Sequence, residues 1–278
     1  MELGRFGVWT SCRAIGEEHL AEAAELAEQL GYGTFWLGGS PRLPQVRPLL
    51  QATEGLVAAT SIVNVWAYDP AQLAAEFWEL ENEFPGRLLV GIGIGHPEAS
   101  GDYSKPFSAM RSFLDGLDVA ERPLPPDRRC IAALAPKMLE LSAERSLGTI
   151  PYFTSSAHTR SAREQLGTGP LLAPEVAFAL DSDGERARAT ARGYARLYLG
   201  LSNYTKNLLA SGFSAEDIAG DGSDRLIDSV VPHGSADAIT RVILEHVEAG
   251  ADHVAVQALG EPGIPRAGWT AIAEALFR

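Results

Sequence analysis

A short run of apolar residues interleaved with glycine constrains the fold more than any other stretch of this chain. Residues 87–97 read RLLVGIGIGHP. The nearly continuous apolar run is typical of a strand buried on both faces, as parallel sheets covered by helices require. Glycine at every second position leaves one face of the strand bare, so either a flat ligand ring or another backbone can approach it closely. The stretch therefore predicts a strand of a parallel sheet.

Strands and helices are predicted to alternate along the whole chain. The predicted strands lie at residues 6–11, 33–38, 62–66, within 87–97, and at 130–134, 149–153, 174–180 and 253–259. The predicted helices between and after them lie at 17–31, 48–60, 71–84, 108–120, 137–146, 159–166 and 269–277. Eight strand-then-helix units with short connections favour a closed (β/α)8 TIM barrel over a doubly wound sheet, which usually has about five or six strands.

One long segment interrupts this alternation. Residues 184–250 are mostly helical and lie between the seventh and eighth predicted strands. No flexible linker rich in proline, glycine or serine brackets them, so we interpret them as an appendage of the barrel. The chain is therefore expected to form a single domain over residues 1–278 with a helical insertion.

Composition and charge exclude several classes of partner. The chain is 46% hydrophobic and 21% charged, and it has no apolar run near the roughly 20 residues that cross a bilayer. It also shows no export signal, so we expect a cytoplasmic protein. The net charge of −13 argues against nucleic acid or a membrane surface as a partner. A single anionic small molecule is still permitted, because backbone N–H groups and a few cations can hold it locally. Cys12 and Cys130 form neither a disulfide framework nor a metal site.

The residues that follow the predicted strands contain few acids and bases. In a barrel these positions build the functional site. The titratable groups among them are His96, His158, Lys137 and Asp69. There is no carboxylate pair typical of a glycosidase, no cluster of metal ligands and no serine nucleophile elbow. This shortage predicts a site without metal in which a cofactor supplies the chemistry.

Two predicted helix starts are suited to a phosphate group. In LAPKML, residues 134–139, Pro136 stands near the first helical position with Lys137 beside it, so free N–H groups and a cation face outward. In SSAHT, residues 155–159, hydroxyl groups flank His158 at the start of the next helix. Ordinary helix caps explain both patterns equally well, and this alternative stays open.

The order of these segments resembles the luciferase-like flavin and deazaflavin oxidoreductase family. The resemblance rests on LGYGTFWLGGS, on ATSIVNVWAYDPAQLAAEFWELENEFPGRLLVGIGIGHP and on AALAPKMLELSAERSLGTIPYFTSSAHT. The later segments SNYTKNLLASGF, SDRLIDSVV and AGADHVAVQ look like an actinobacterial-type branch of coenzyme F420-dependent oxidoreductases. The combination is specific to the family, whereas the single segments are not.

The resemblance implies a TIM barrel with a deazaflavin ring over the strand ends and a phosphate tail at later strands. It places a bulge with a non-prolyl cis peptide at Asn64–Val65, where Val65 backs the ring. The residues expected to bind the cofactor are Gly38, Asn64, Val65, Trp66, Gly95, Ala135, Pro136, Lys137, Met138, His158 and Thr159.

The sequence departs from the family pattern at two positions. Relatives often carry an acid or base after the second strand, where this chain has Gly38-Gly39-Ser40. Ala135 stands where relatives have a glycine, which crowds a backbone expected to approach a phosphate. His96 lies where some relatives place a glutamate, and an imidazole with its ordinary pKa of about 6.5 can exchange protons near neutral pH. His96 is therefore the predicted catalytic proton donor.

These observations predict an F420-dependent oxidoreductase that transfers a hydride between the deazaflavin C5 and a hydrophobic small-molecule substrate. Trp9, Trp36 and Tyr68 are expected to wall the substrate pocket together with Trp66, although aromatic strand residues are often plain core. An FMN-dependent monooxygenase or reductase is the nearest alternative. A catalytically silent ligand-binding barrel is the second. By analogy with the family, the insertion is expected to contribute to a homodimer interface.

Overall fold

The chain folds into parallel strands surrounded by helices, as seen in a computed structural model that describes residues 1–96 and 103–278. The strands are β1 (Phe6–Ser11), β2 (Thr34–Gly38), β3 (Val57–Ser61), β4 (Val63–Asn64), β5 (Leu88–Gly93), β6 (Arg129–Ile131), β7 (Gly148–Thr149), β8 (Leu171–Leu172), β9 (Glu175–Leu180), β10 (His233–Gly234) and β11 (Val254–Ala258). The helices are α1 (Cys12–Ile15), α2 (Leu20–Gln29), α3 (Arg47–Ala52), α4 (Pro70–Glu83), α5 (Pro106–Asp118), α6 (Pro136–Arg145), α7 (Ser156–Leu166), α8 (Gly184–Leu199), α9 (Ser202–Ala210), α10 (Ala215–Ile218), α11 (Asp224–Val230), α12 (Ala236–Glu248) and α13 (Arg266–Leu276).

The strands form one curled parallel sheet. Their order is β10-β9-β11-β1-β2-β3-β5-β6-β7-β8, and β4 also pairs with β5. The segment that joins β8 to β9 bonds to both of its neighbours: Ala173 N donates to Thr149 O in β7, and Pro174 O accepts from Ala255 N in β11. The predicted α/β class with a parallel sheet is confirmed.

The strand β5 is buried on both faces, as predicted. Val90 and Ile92 pack towards the helices, whereas Leu89 lies in the cluster inside the curl of the sheet together with Trp36. A methyl group on Gly91 would lie 2.0 Å from Thr60 O. Of the two uses left open for the glycines, close approach of a neighbouring backbone is therefore the one seen at Gly91.

The third strand begins earlier than predicted. Residues 48–60 were expected to be helical, but α3 ends at Ala52 and β3 begins at Val57. The Arg87 guanidinium accounts for the difference, because it donates to the carbonyl oxygens of Leu50, Thr53 and Leu56. The Glu28 carboxylate accepts from the N–H groups of residues 54–56. These distant side chains hold a turn that the local sequence pattern does not reveal.

A bulge separates β3 from β4. Ala59 pairs with Leu89, whereas Val63 pairs with Ile92, so the third strand contains one extra residue between the two ladders. The cis peptide bond lies within this bulge at Ser61–Ile62. The expected position at Asn64–Val65 is therefore wrong, because by Asn64 the chain has already resumed regular pairing with Gly93.

Four helices and one short strand, followed by α12, lie between β9 and β11. The last of these, α12, packs against α7 and α13 and so takes the place of a helix around the sheet. The helices α8, α9 and α11 form a second apolar cluster with Phe153 and Ala177 near the carboxyl ends of the strands. The insertion thus covers that end of the sheet. No helix within residues 1–96 or 103–278 is long and apolar enough to span a membrane.

We expect Glu28→Gln to destabilise the fold. Burial raises the pKa of Glu28, but the three N–H groups of the turn outweigh burial and hold it below its ordinary value of 4.5. The carboxylate therefore stabilises the folded state above that value and loses its contribution as the pH falls. Urea unfolding at pH 7 should show a loss of about 1 kcal/mol, since the site is partly exposed and screened. The loss should shrink below pH 4.5. Glu25→Gln on the exposed side of α2 should be silent.

Candidate functional site

A cavity of about 840 Å³ opens at the carboxyl ends of the strands. Its wall contains residues at or after the ends of β2, β3, β5, β6 and β7, one residue of β4, and residues of α8 and α9. Parallel strands place their functional groups at this end, so the cavity lies where a ligand site is expected. Its size is within the usual range of roughly 300–1,000 Å³ for small-molecule sites.

The structure brings many of the predicted site residues to this one cavity. Those in its wall are Trp9, Asn64, Gly95, His96, Ala135, Pro136, Lys137 and Met138. His96 follows β5, and its ring centroid lies 5.2 Å from that of Tyr204. Ala135 is the N-cap of α6 in an extended conformation. The predicted proton donor and the predicted helix start of the phosphate site thus share one cavity.

Gly38 has a packing role rather than a place in the cavity wall. A methyl group on Gly38 would lie 1.9 Å from Cζ2 of Trp9, so the indole already fills the space beside this glycine. The neighbouring Gly39 and Ser40 line the cavity instead, and both have positive φ angles of 81° and 58°. Gly38, at the end of the second strand, therefore accommodates an aromatic side chain from β1.

Val65 and Trp66 lie behind the cavity wall. Val65 is 8% exposed and belongs to the core between strands and helices. The Trp66 indole donates to Ile94 O over 2.8 Å, and its backbone N–H donates to Asn64 Oδ1. These bonds hold the backbone of the wall. Ser61 and Ile62 line the cavity at the position expected for Val65.

Trp36 and Tyr68 also lie outside the cavity. Trp36 is 1% exposed inside the curl of the sheet and donates to His253 Nε2 over 2.9 Å. The Tyr68 hydroxyl accepts from Leu43 N and donates to Glu76, which ties the loop after β2 to α4. The structure therefore places these two aromatic residues in the core. This is the alternative that the sequence left open for aromatic residues of strands.

His158 and Thr159 lie behind the wall near α7. His158 Nε2 lies 3.3 Å from the carbonyl oxygen of Leu134, a wall residue, so this nitrogen carries the proton. Burial lowers the pKa of His158, which keeps the ring neutral and leaves Nδ1 as a lone-pair acceptor that repels a phosphate. Thr159 is fully buried and bonds to His246. The hydroxyl groups of Thr154 and Ser155 are buried without a partner among the described residues and are better suited to an anion.

A wall of tyrosines, which the sequence alone did not reveal, lines one side of the cavity. Tyr198 and Tyr204 come from the insertion, whereas Tyr152 comes from the segment after β7. The Tyr152 hydroxyl donates to Gln257 Oε1 over 2.8 Å, accepts from Tyr194 at 2.8 Å and lies 3.2 Å from the Tyr198 hydroxyl. Tyr194 and Tyr198 lie on one face of α8 at i, i+4 spacing. This spacing is the feature of the sequence from which the tyrosine cluster could have been predicted.

A buried carboxyl group lies beside this wall. Glu175 is 4% exposed, and its Oε2 accepts from Phe153 N over 3.4 Å. Its Oε1 has no hydrogen-bond partner among the described residues. Burial raises the pKa of Glu175 to about 8, so the group is neutral at pH 7. The sequence analysis missed it because PEVAFAL shows only the pattern of a buried strand.

The charged side chains in the described part of the cavity wall are lysines. Among the described residues, its wall contains Lys137 and Lys206 but no aspartate or glutamate. In residues 1–96 and 103–278, no group of three or more histidine, cysteine, aspartate or glutamate side chains is arranged to hold a metal ion. The geometry thus defines an α/β protein with a curled parallel sheet and, at the strand ends, a mostly apolar cavity whose described wall includes two lysines.

Comparison with known proteins narrows this class. The profile of the Luciferase-like monooxygenase family matches residues 3–118, so the predicted resemblance to this family is confirmed there. An F420-dependent glucose-6-phosphate dehydrogenase from Microbacterium testaceum (strain StLB037) is 29% identical over 104 residues, which are 33% of this chain and 31% of that protein. The same enzyme from Nakamurella multipartita gives 29% identity over an equal length. The aligned part thus spans about a third of these relatives.

Solved structures show the same fold over the whole chain. An F420-dependent secondary alcohol dehydrogenase in complex with an F420-acetone adduct superposes with a TM-score of 0.77 at 16% identity, covering 99% of this chain and 98% of that one. The coenzyme F420-dependent tetrahydromethanopterin reductase from Methanopyrus kandleri gives a TM-score of 0.74 at 15% identity, covering 98% of both chains. At these identities the likeness establishes the TIM-barrel-like luciferase fold.

We expect Gly38→Ala to destabilise the protein by about 1–3 kcal/mol, because a methyl group cannot share the space of the Trp9 ring. Urea unfolding measures the loss. The same substitution in a Trp9→Ala background should cost much less, since the obstructing ring is gone. Equal losses in both backgrounds would contradict the packing role assigned to Gly38.

We expect Glu175→Gln to change how stability depends on pH. The folded-state pKa of about 8 exceeds the ordinary 4.5, so stability is fully present below 4.5 and is lost as the pH rises towards 8. The glutamine variant cannot ionise and should avoid this loss. Its free energy of unfolding relative to the parent should therefore rise between pH 5 and pH 8. Glu185→Gln, at an exposed position of α8, serves as the control and should show no such trend.

Proposed function

We propose that this chain is a (β/α)8-barrel oxidoreductase that uses the deazaflavin F420 to move a hydride to or from an organic substrate. The observation that carries the proposal is the cavity at the strand ends, whose described wall has apolar and aromatic groups, an imidazole and two lysines, and no carboxylate within residues 1–96 and 103–278. Such a wall supplies little acid–base chemistry of its own and is suited to a bound redox cofactor. The family match over residues 3–118 supports the same assignment.

The closed barrel within this proposal is supported by the segment between β8 and β9. Leu171 N and Ala173 N donate to the strand before it, at Leu147 O and Thr149 O. Leu172 O and Pro174 O accept from Asp252 N and Ala255 N on the other side. A segment bonded on both sides links the two ends of the sheet. The predicted single domain over residues 1–278 and the predicted homodimer stay predictions.

The described residues fit a deazaflavin. Ser61, Ile62 and Asn64 form one side of a largely apolar cavity that suits a flat ring. At α6, the Lys137 side chain and the first turn of the helix offer positive charge to a phosphate. The buried hydroxyls of Thr154 and Ser155, which have no described partner, lie at the start of α7 beyond that wall. Ring and tail thus have separate places along the strand ends.

The chemistry that F420 supplies when bound is hydride transfer at C5 of its ring. In the chain itself, His96 holds a proton at the cavity wall, where its imidazole can give the proton to a substrate oxygen or take it back. Tyr204 packs against the His96 ring and limits its orientation. The Tyr198 hydroxyl, which also lines the cavity, can accept a hydrogen bond from a polar part of a substrate, while Met138 and Phe107 exclude water from the wall.

We expect the purified protein to bind F420 with micromolar affinity, measured by quenching of the cofactor's fluorescence. His96→Gln should retain this binding but lower turnover of a carbonyl and enone panel by about 10²–10⁴-fold, because the proton donor is lost. Lack of binding at micromolar F420 would overturn the proposal. Tight binding of FMN with its flavin absorbance, and none of F420, would favour the FMN alternative. Binding of F420 without turnover, unchanged by the substitution, would favour the silent barrel.

A further inference from the structure

We propose that α9 forms a subsite for an anionic oxygen group of the substrate, a carboxylate or a phosphate ester, with Lys206 and Asn207 as the residues that bind it. This inference rests on the proposed function in one respect, namely that the substrate occupies the same cavity as the cofactor. The subsite itself follows from charge, helix geometry and burial.

The distribution of lysine in the chain is the first argument. The chain has a net charge of −13 and only three lysines, at positions 105, 137 and 206. Two of them, Lys137 and Lys206, line the cavity, and neither forms an ion pair within the part of the chain that the structure describes. By contrast, arginines such as Arg128 and Arg163 pair with carboxylates. Uncompensated cations beside a mostly apolar wall attract an anion.

The geometry of α9 is the second argument. Asn203, Lys206, Asn207 and Ala210 all line the cavity, and their spacing places them on one helical face. The other side of α9 buries Leu208 in the apolar cluster of the insertion. One edge of the cavity is therefore formed by two amides and an ammonium group, a set of N–H donors suited to oxyanions.

Asn207 provides the third argument. It is only 9% exposed, yet its side-chain amide has no hydrogen-bond partner among residues 1–96 and 103–278. Asn207 lines the cavity, and neither atom of its amide is among the fully buried side-chain atoms that lack a partner, so the amide reaches the cavity. An amide held by a mostly buried residue and free to bond into the cavity is suited to an oxygen group of a ligand.

The position of α9 assigns this subsite to the substrate rather than to the cofactor tail. The Asn203 side chain donates to Gly95 O over 3.5 Å, and the Tyr204 ring lies 5.2 Å from the His96 ring. An anion held by α9 therefore lies beside the proposed proton donor. The tail is proposed to lie at α6 and α7, which follow β6 and β7.

Binding of simple probes to the cofactor-free protein tests the subsite directly. The probes are 3-phenylpropionate, phenyl phosphate and the neutral 3-phenylpropionamide, which share a phenyl group, with affinity measured by isothermal titration calorimetry. At least one anion should bind at least tenfold more tightly than the amide. Lys206→Gln and Asn207→Leu should each remove about tenfold of that preference and leave amide binding unchanged. Lys105→Gln, which changes the one lysine outside the described cavity wall, should behave as the parent.

Several outcomes would overturn the inference. One is that both anions bind no better than the amide, and another is that Lys206→Gln binds all three probes as the parent does. A third is that Lys206→Gln weakens the binding of F420 but not of the probes, while a deazaflavin that lacks the phosphate and tail binds as tightly as it does to the parent. The lysine would then bind the cofactor tail. If F420 binds neither the parent nor any variant while the preference for anions persists, the proposed cofactor is wrong and the proposed subsite is supported. Lys206 is exposed, so its substitution should not unfold the protein.

Discussion

The close contact between Gly91 and Thr60 determines the shape of the ligand end of this fold. Thr60 Oγ1 donates to Gly91 O over 3.0 Å and accepts from Gly91 N over 2.9 Å, so a side chain replaces the backbone ladder at that point. Any side chain at position 91 would collide with Thr60 O. The extra residue of the bulge follows directly, and it turns Ile62 and Asn64 towards the cavity. One bare strand position thus lets the third strand bend where a ligand is proposed to bind.

The sequence predicted well those parts of the fold that depend on local pattern. Strands such as β1 and β5, and helices such as α4, show periodicities set by their own burial, and their bounds match the expected ones closely. The start of β3 was missed because the Arg87 and Glu28 side chains that end α3 lie far away in sequence. The role of Gly38 was misjudged for a similar reason. A glycine in a sequence suggests space for a ligand, and only the structure shows that the Trp9 indole of the neighbouring strand fills the space beside Gly38.

In the candidate site, too, the residues whose position follows from local pattern were predicted and the others were not. Residues at the end of a strand or just after it, such as Asn64 and His96, reach the cavity as predicted, because the direction of the strands puts them there. Residues of the insertion could not be placed from the sequence, since nothing in the helical pattern of α8 and α9 says which part of the sheet they cover. The structure shows that they close one side of the cavity with tyrosines and amides. The wall contributed by the insertion is therefore where substrate selection is best sought.

The described cavity wall carries positive side chains although the chain as a whole is negative, and the neutral state of Glu175 preserves this difference. This carboxyl lies next to the tyrosine wall, where an ionised group would oppose the field of Lys137 and Lys206. Burial raises the pKa of Glu175 to about 8 and so keeps it neutral at pH 7. Within the part of the chain that the structure describes, the charged groups of the cavity wall are then the two lysines, although the chain as a whole carries a charge of −13. An acidic protein can attract an anion to such a site because Glu175 is uncharged there and carboxylates farther away are screened by salt beyond a Debye length of about 8 Å.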